Sequence, residues 1–279
     1  MSARQIVSTH GALRDDIQDL VTRRPLPGLA LPQVDPFLFL NHHGPQTYPP
    51  NNHGLPFGPH PHRGFETVTF ILEGSLAHHD SGSGASVVEA GGVQWMTAGS
   101  GLVHAELSPD EFKRTGGPLE ILQLWVNLPA RLKMTEPAYV PVAANDMAKS
   151  SPGDGASMVT VSGTDGAPIR SLTDVMLAMV SIEPGGRATL SAPTGRNVLF
   201  YTVGGEAEIA GKLVAEHTLA LLADGDRVEV SSARGCRILF GHASPIGESV
   251  VAHGPFVMNT EAEIAQAVRD YQTGRFGGI

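Results

Sequence analysis

The chain has 279 residues, of which 41% are hydrophobic and 17% charged, a composition that supports a sizeable core and excludes global disorder. Its formal net charge of −9, without a run of Lys or Arg, disfavours direct binding to nucleic acid or to a membrane surface. The single cysteine, Cys236, excludes an internal disulfide framework, and the sequence has no signal-peptide core and no apolar run of membrane-spanning length, so we expect a cytoplasmic protein.

The first half of the chain predicts short strands separated by turns. Residues 36–40 are apolar and predict a buried strand, and residues 41–59, rich in Gly, Pro, Asn and His, predict a loop. Many short strands at regular spacing, with 33 glycines and 21 prolines along the chain, indicate an all-β fold of sandwich or barrel type. The strand-like runs that follow the loop are residues 66–72, 75–79, 86–89, 93–96, 104–107 and 119–128.

The second half of the chain repeats the pattern of the first half. Residues 142–170 are rich in Ala, Ser, Gly, Asp and Pro and predict a linker or surface crossover. Beyond this segment, residues 197–205 resemble residues 66–74, and residues 221–230 resemble residues 88–95. This similarity indicates an internal duplication of one β unit.

The two copies differ in their ligand-type residues. Alignment by glycines places Ser191 and Pro193 at the positions of His60 and His62. Residues 235–239 then correspond to the segment around His104, and they contain no histidine. We therefore expect one metal site per chain, in the N-terminal half.

The end of the chain departs from the strand pattern and predicts a short helix. Thr260 and Glu263 have the spacing of a capping box, and Gly274 supplies a stop. The apolar residues at helical spacing between them are Ile264, Val268 and Tyr271. The expected divisions are an N-terminal domain over residues 1–140, a linker over 141–170, a C-terminal domain over 171–250, and a helix and tail over 251–279 that pack on the core.

Two pairs of ligand-type residues stand at alternate positions in strand-like segments. His60 and His62 form an H-x-H pair, and His104 and Glu106 form an H-x-E pair. Side chains at positions i and i+2 of a strand point to the same face, so each pair directs two ligands to one point. Two such strands side by side would surround one ion with imidazole and carboxylate groups, a set that suits a redox-active or Lewis-acid first-row metal. A zinc finger would need several cysteines.

The spacing leaves two candidates for the fourth ligand. Glu106 is favoured because it shares a face with His104 in an uninterrupted stretch. Glu66 has the required parity, but Gly64 interrupts its segment. Glu66 is then expected outside the ligand set, for example bound to Arg63, where it would help to orient the ligands.

Four other histidines are expected at the surface. His42 and His43 fall in the predicted loop, where exposure is the favoured interpretation over a place at the rim of a pocket. His78, His79 and Asp80 adjoin a predicted hairpin turn and are expected on a solvated edge.

Residues 54–66 resemble the first cupin motif, although its closing glycine, Gly74, stands one residue late. A more specific resemblance is to the pirin family of bicupins. One departure lies at His42 and His43, where that family usually has an acidic residue and an aromatic residue. The stretches that are similar to pirins are residues 60–74, 94–106, 123–129, 254–260 and 271–277.

The resemblance implies two stacked β-barrels of jelly-roll type with a short C-terminal helix, and one iron-type site in the N-terminal barrel. The ligands it implies are His60, His62, His104 and Glu106, with Glu66 outside the set. Fe(II) is the expected ion, one per chain, although Ni, Mn, Cu and Zn also accept such ligands.

Some pirin-like proteins act as quercetin 2,3-dioxygenases, which open the central ring of a flavonol with dioxygen and release carbon monoxide. The resemblance therefore implies a metal-dependent dioxygenase that takes a small aromatic substrate and O2. We expect Glu106 to accept a proton from the substrate hydroxyl. Other family members are described as regulators that bind transcription factors, so the alternative function is a redox-responsive protein that acts through a protein partner. A metal-dependent isomerase that does not use oxygen is the third hypothesis.

Overall fold

The computed structural model describes residues 2–279, and these residues form two compact units. The site unit, which contains the candidate ligands, comprises residues 15–22, 39–145 and 246–279. The second unit comprises residues 2–14, 23–38 and 146–245. The domains expected from the sequence are continuous stretches of chain, whereas each compact unit combines three separate stretches. The expected domain limits stay predictions.

The first half of the chain is built from short strands, one short α-helix and two 3-10 turns. The helix is α1 (Asp110–Thr115), and the 3-10 turns are Ala130–Leu132 and Ala144–Asp146. In chain order the strands are β1 (Ile6–Gly11), β2 (Leu13–Arg14), β3 (Thr22–Leu26), β4 (Phe37–Tyr48), β5 (Phe57–His62), β6 (Phe65–Glu73), β7 (Ser75–Asp80), β8 (Gly84–Glu89), β9 (Val93–Thr97), β10 (Leu102–Leu107), β11 (Gly117–Asn127) and β12 (Ala138–Val142).

The second half continues with strands and ends on the helix α2 (Glu261–Gln272). These observations confirm the predicted all-β class with a short C-terminal helix. The strands are β13 (Ala148–Gly153), β14 (Ala156–Ser162), β15 (Met176–Ile182), β16 (Arg187–Ser191), β17 (Asn197–Gly205), β18 (Ala207–Ile209), β19 (Lys212–Val214), β20 (Thr218–Leu222), β21 (Arg227–Ser231), β22 (Cys236–Ala243), β23 (Val251–His253) and β24 (Phe256–Met258).

The site unit contains two main antiparallel sheets and a two-stranded sheet formed by β23 and β24. The smaller sheet has the order β5-β10-β7-β8, and the larger one has the order β12-β9-β6-β11-β4 within this unit. Burying each large apolar side chain between such sheets stabilises the fold by about 1.5–3 kcal/mol. The core between these elements consists of Leu20, Tyr48, Leu55, Ile71, Leu76, Val88, Phe112, Leu119 and Ile121.

The second unit repeats this topology, as the internal duplication predicted. Its smaller sheet has the order β16-β21-β18-β19, and its larger sheet includes β20-β17-β22-β15. The counterpart of β10 is therefore β21, and the glycine alignment that placed it at residues 235–239 was wrong. Residues 236–243 form β22, a strand of the larger sheet. The alignment is displaced because β18 and β19 are shorter than their counterparts β7 and β8.

Two segments expected to be irregular contain strands. β4 extends to Tyr48, into the loop predicted over residues 41–59. The predicted linker over residues 141–170 contains β13 and β14, which pair with each other in the larger sheet of the second unit. Both segments are rich in residues of low strand propensity, and pairing with neighbouring strands of the sheet overrides that local preference.

The C-terminal helix begins at the predicted capping box. The Thr260 side chain accepts a hydrogen bond from the Glu263 backbone N–H, and the Glu263 side chain accepts one from the Thr260 N–H. Ile264 is buried, as predicted, but Tyr271 is exposed. Phe276, beyond the helix, enters the apolar cluster in its place. Within residues 2–279, no helix is long and apolar enough to span a membrane.

Candidate metal centre

Three histidines meet on two neighbouring strands of the smaller sheet in the site unit. His60 and His62 lie on β5 and His104 lies on β10, and the two strands pair antiparallel with His104 opposite His60. His62 and His104 are buried, whereas His60 is half-buried. The alternation of the strands therefore brings the H-x-H pair and the third histidine to one face, as the spacing predicted.

The nitrogen donors of these histidines converge. The Nε2 atoms of His60 and His104 lie 3.0 Å apart, and one nitrogen from each of the three rings lies within 4.8 Å of the others. The ring centroids are 4.4 to 4.9 Å apart. Within residues 2–279 this is the one such group of potential metal ligands, and its donor set fits a single first-row metal ion.

Backbone carbonyls orient two of the three rings. His60 Nδ1 lies 2.8 Å from the Gly58 carbonyl oxygen, and His62 Nδ1 lies 3.2 Å from the Pro255 carbonyl oxygen. A hydrogen bond from Nδ1–H to a carbonyl leaves the lone pair on Nε2, the arrangement typical of metal-ligating histidines. His104 Nδ1 is buried and has no hydrogen-bond partner among the residues described.

All three imidazoles are held in the neutral form. Burial lowers the pKa of His60, and burial together with the neighbouring His60 charge lowers the pKa of His62 to about 3. Burial and the charges of the adjacent histidines lower the pKa of His104 well below its usual value. Neutral imidazole is the form that binds a metal, so these shifts favour binding without proton release.

Glu106 lies on the same strand as His104, outside the group of three nitrogen donors. Its Oε1 accepts a hydrogen bond from Thr69 Oγ1 at 2.9 Å, and its Oε2 accepts one from Gln123 Nε2 at 2.5 Å. Burial raises the pKa of Glu106 to about 7, although both hydrogen bonds lower it. A carboxyl group with this pKa can exchange a proton near neutral pH.

Glu66 is bound differently from the expectation. Its Oε1 accepts hydrogen bonds from Trp95 Nε1 at 3.0 Å and Thr97 Oγ1 at 2.7 Å, not from Arg63. Successive side chains of a strand alternate between faces. Glu66 therefore lies on the opposite face of β6 from Thr69, the residue that binds Glu106.

His78 and Asp80, expected on a solvated edge, are buried next to the histidine group. His78 Nε2 lies 2.7 Å from Asp80 Oδ2, and the His78 ring lies 5.4 Å from the ring of His104. Tyr139 stacks on His78 at 3.7 Å. Only His79 of this segment is exposed. The alternation of Leu76, His78 and Asp80 on β7 was the signal that could have revealed this inward face.

His42 and His43, expected to be exposed, are fully buried on β4. His42 Nε2 lies 2.9 Å from Glu120 Oε1, and His43 Nδ1 lies 2.8 Å from Thr22 Oγ1. These partners are distant in the sequence, so the polar composition of the segment did not reveal its burial.

Aromatic side chains surround His62. The rings of Phe65 and Trp125 lie 5.0 and 5.4 Å from the imidazole of His62. Trp125 is half-buried and also contacts the half-buried Phe39 at 4.6 Å. We call Phe39, Phe65 and Trp125 the aromatic wall.

Comparison with known proteins places this geometry in context. A family model described as Pirin matches residues 19–126, and one described as Pirin C-terminal cupin domain matches residues 177–277. A Pseudomonas aeruginosa protein named "Putative quercetin 2,3-dioxygenase" is 36% identical over 248 residues, which cover 87% of this chain and 87% of that protein.

Solved structures show the same architecture. The crystal structure of a quercetin 2,3-dioxygenase from Acinetobacter baumannii has a TM-score of 0.92 at 30% identity, with 100% of both chains covered. A bacterial pirin from Escherichia coli, solved in complex with nickel(II), has a TM-score of 0.68 at 20% identity. The match covers 85% of this chain and 99% of that one, and it shows a shared fold.

Proposed function

Because the chain belongs to the pirin family, we propose that it is a metal-dependent dioxygenase that cleaves a flavonol-like aromatic compound with O2 and releases carbon monoxide. The observation that carries the proposal is the convergence of three histidines, with the buried Glu106 two positions after His104 on the same strand. Its relatives include proteins named for quercetin 2,3-dioxygenase activity, which supports the same reaction class.

We propose His60, His62 and His104 as metal ligands through Nε2, with Glu106 as the fourth. The ion we propose is Fe(II), one per chain. The nickel(II) complex of the Escherichia coli pirin makes nickel a specific alternative, and imidazole donors also accept manganese, copper and zinc. When bound, the metal would supply a Lewis-acid and redox centre for the substrate and dioxygen.

Glu106 has a second role in this proposal, as the base for the substrate hydroxyl. Its side chain is buried and stands two positions after His104 on β10, where it could accept the proton of a substrate hydroxyl bound at the metal. Thr69 and Gln123 bind one carboxylate oxygen each and so hold the group in one orientation. A proton taken by Glu106 leaves the substrate as an oxyanion, the form that is readily oxidised.

The aromatic wall supports a flat aromatic substrate. Phe39 and Trp125 are half-buried, and Trp125 lies beside His62. Aromatic faces pack against one another with a gain of about 0.5–1.5 kcal/mol beyond area burial. The wall would therefore orient a flavonol-like ring next to the ligand His62.

Oxygen consumption by the Fe(II)-loaded protein on addition of quercetin tests this function. We expect one O2 to be consumed per quercetin, and we expect His62→Ala to abolish the consumption. A protein shown to retain its metal that consumes no oxygen would contradict the proposal. That result would favour the alternative function, a redox-responsive regulator that acts through a protein partner.

A further inference from the structure

Arg63 directly follows the candidate ligand His62 and binds the C-terminal end of the site unit. Its Nη1 donates a hydrogen bond to Asp270 Oδ2 at 2.9 Å, and its Nε donates one to the Ser100 carbonyl at 2.7 Å. Its guanidinium also lies over the ring of Phe276, 4.6 Å from the centroid. One side chain thus connects the β5 segment to the loop before β10 and to the C-terminal residues.

The pair formed by Arg63 and Asp270 is buried and completed by further hydrogen bonds. Arg63 is 4% exposed and Asp270 is 6% exposed. The second oxygen of Asp270 accepts hydrogen bonds from Gln266 Nε2 at 2.8 Å and Arg275 Nη1 at 3.0 Å. Removing one partner of a buried pair leaves the other charge uncompensated, so each partner holds the other in place.

Residues 251–279, which we call the C-terminal cap, contact the ligand-bearing strand β5 through the backbone as well. The Pro255 carbonyl lies 3.2 Å from His62 Nδ1. The Val257 N–H donates a hydrogen bond to the Arg63 carbonyl at 3.0 Å. The cap therefore contacts both His62 and the residue after it.

The same cap also contacts the segment that leads to His104. The Phe276 ring occupies the space beside Gly101, where an added Cβ would lie 2.5 Å from a ring carbon. The Phe276 carbonyl accepts a hydrogen bond from Ser81 Oγ at 2.7 Å, and Ser81 Oγ in turn accepts one from the Val103 N–H at 3.2 Å. Val103 and Phe276 also belong to one apolar cluster.

From these contacts we propose that the C-terminal cap is a positioning element of the metal centre, with Asp270 and Phe276 as positioning residues that act on His62 through Arg63. The inference rests on the proposed metal site. Some residues orient metal ligands without binding the ion themselves. Such residues influence both the affinity for the ion and its ligand field. The cap would thus tune a site whose ligands lie far from it in the sequence.

Cobalt(II) binding to the full-length protein tests the inference with Asp270→Asn and Phe276→Leu. The matched control is Asp174→Asn, which removes a carboxylate from an arginine pair of the second unit, Arg196 and Asp174. The measurements are the cobalt dissociation constant, by competition with a chelator, and the visible d–d absorption of the loaded protein. Thermal melting of each metal-free variant establishes that it is folded.

We expect Asp270→Asn to weaken cobalt binding on the order of 10- to 100-fold, and to change the d–d absorption. Phe276→Leu should change the cobalt affinity and the d–d absorption in the same direction. Asp174→Asn should match the wild type in affinity and in absorption. Wild-type affinity and spectrum in both folded cap variants would overturn the inference, and if Asp270→Asn does not fold, Phe276→Leu alone decides. A wild-type protein that binds no cobalt would instead overturn the metal site on which the inference rests.

Discussion

His60 on β5 and His104 on β10 face each other across a strand pair, and their Nε2 atoms lie 3.0 Å apart. Burial lowers the pKa of both rings, so both are neutral at physiological pH. Two neutral nitrogen donors at this distance, with His62 beside them, are arranged to share one ion.

Binding of the metal should stabilise the folded chain. An ion that binds only the folded state adds about 2.7 kcal/mol to the free energy of unfolding at a free concentration of 100 times Kd. Denaturant unfolding with and without Fe(II), under anaerobic conditions, measures this increment. We expect His104→Ala to lose it, and an equal increment in that variant would show that the ion binds elsewhere.

Glu106→Gln should separate metal binding from turnover. The amide keeps the size of the side chain and an oxygen donor, but it cannot accept the proton of the substrate hydroxyl. Loss of a general base typically lowers the rate roughly 100- to 10,000-fold. Steady-state turnover, measured on variant protein with its metal content verified, checks this expectation. Full activity in Glu106→Gln would exclude the proposed base.

The stability of the chain at alkaline pH should depend on Lys133. This side chain is buried, and its Nζ donates hydrogen bonds to the carbonyls of Gly64 and Val257 and to Asn127 Oδ1. Burial lowers the pKa of Lys133 from 10.5 to about 8. The folded state therefore binds fewer protons than the unfolded state between about pH 8 and 10.5, and the free energy of unfolding rises with pH across that window.

The rise in the free energy of unfolding follows from the lowered pKa of Lys133, at 1.36 kcal/mol per pKa unit. Relative to Lys133→Met, the wild type should gain up to about 3 kcal/mol as the pH rises from 8 to 10.5. Below pH 8 the difference between the two proteins should not depend on pH. Urea unfolding at a series of pH values tests this, and a pH-independent difference throughout would show that Lys133 does not titrate in this range.

The capping box at the start of α2 should increase the free energy of unfolding measurably. Thr260→Ala removes the hydroxyl that accepts a hydrogen bond from the Glu263 backbone N–H. Loss of such an N-terminal capping side chain costs about 1 kcal/mol. Thr194→Ala, at an exposed turn, is the matched control and should change stability by less than about 0.5 kcal/mol. Equal effects of the two substitutions on the denaturation midpoint would show that the Thr260 side chain does not stabilise α2.

Features encoded by nearby residues were predictable from the sequence. The alternation of His60 and His62 in one strand and the Thr260 to Glu263 capping box each depend on residues a few positions apart, and the structure shows both arrangements. The convergence of His104 with the first pair required only that two predicted strands be neighbours.

Burial of polar residues could not be predicted in the same way. His42 is buried against Glu120, and His43 against Thr22, but a polar run without a known partner is more often exposed. The ion pair of Arg63 with Asp270 joins residues 207 positions apart, and no local pattern connects them. Such pairs follow from the packing of distant elements rather than from periodicity.

Carbon monoxide release from quercetin tests the proposed dioxygenase most directly. The measurement compares the Fe(II)-loaded wild type in air with His62→Ala treated identically, and it counts carbon monoxide per quercetin consumed. We predict one carbon monoxide per quercetin from the wild type and none above the uncatalysed rate from His62→Ala. Either no release from a wild type verified to hold its iron, or equal release from both proteins, would contradict the account.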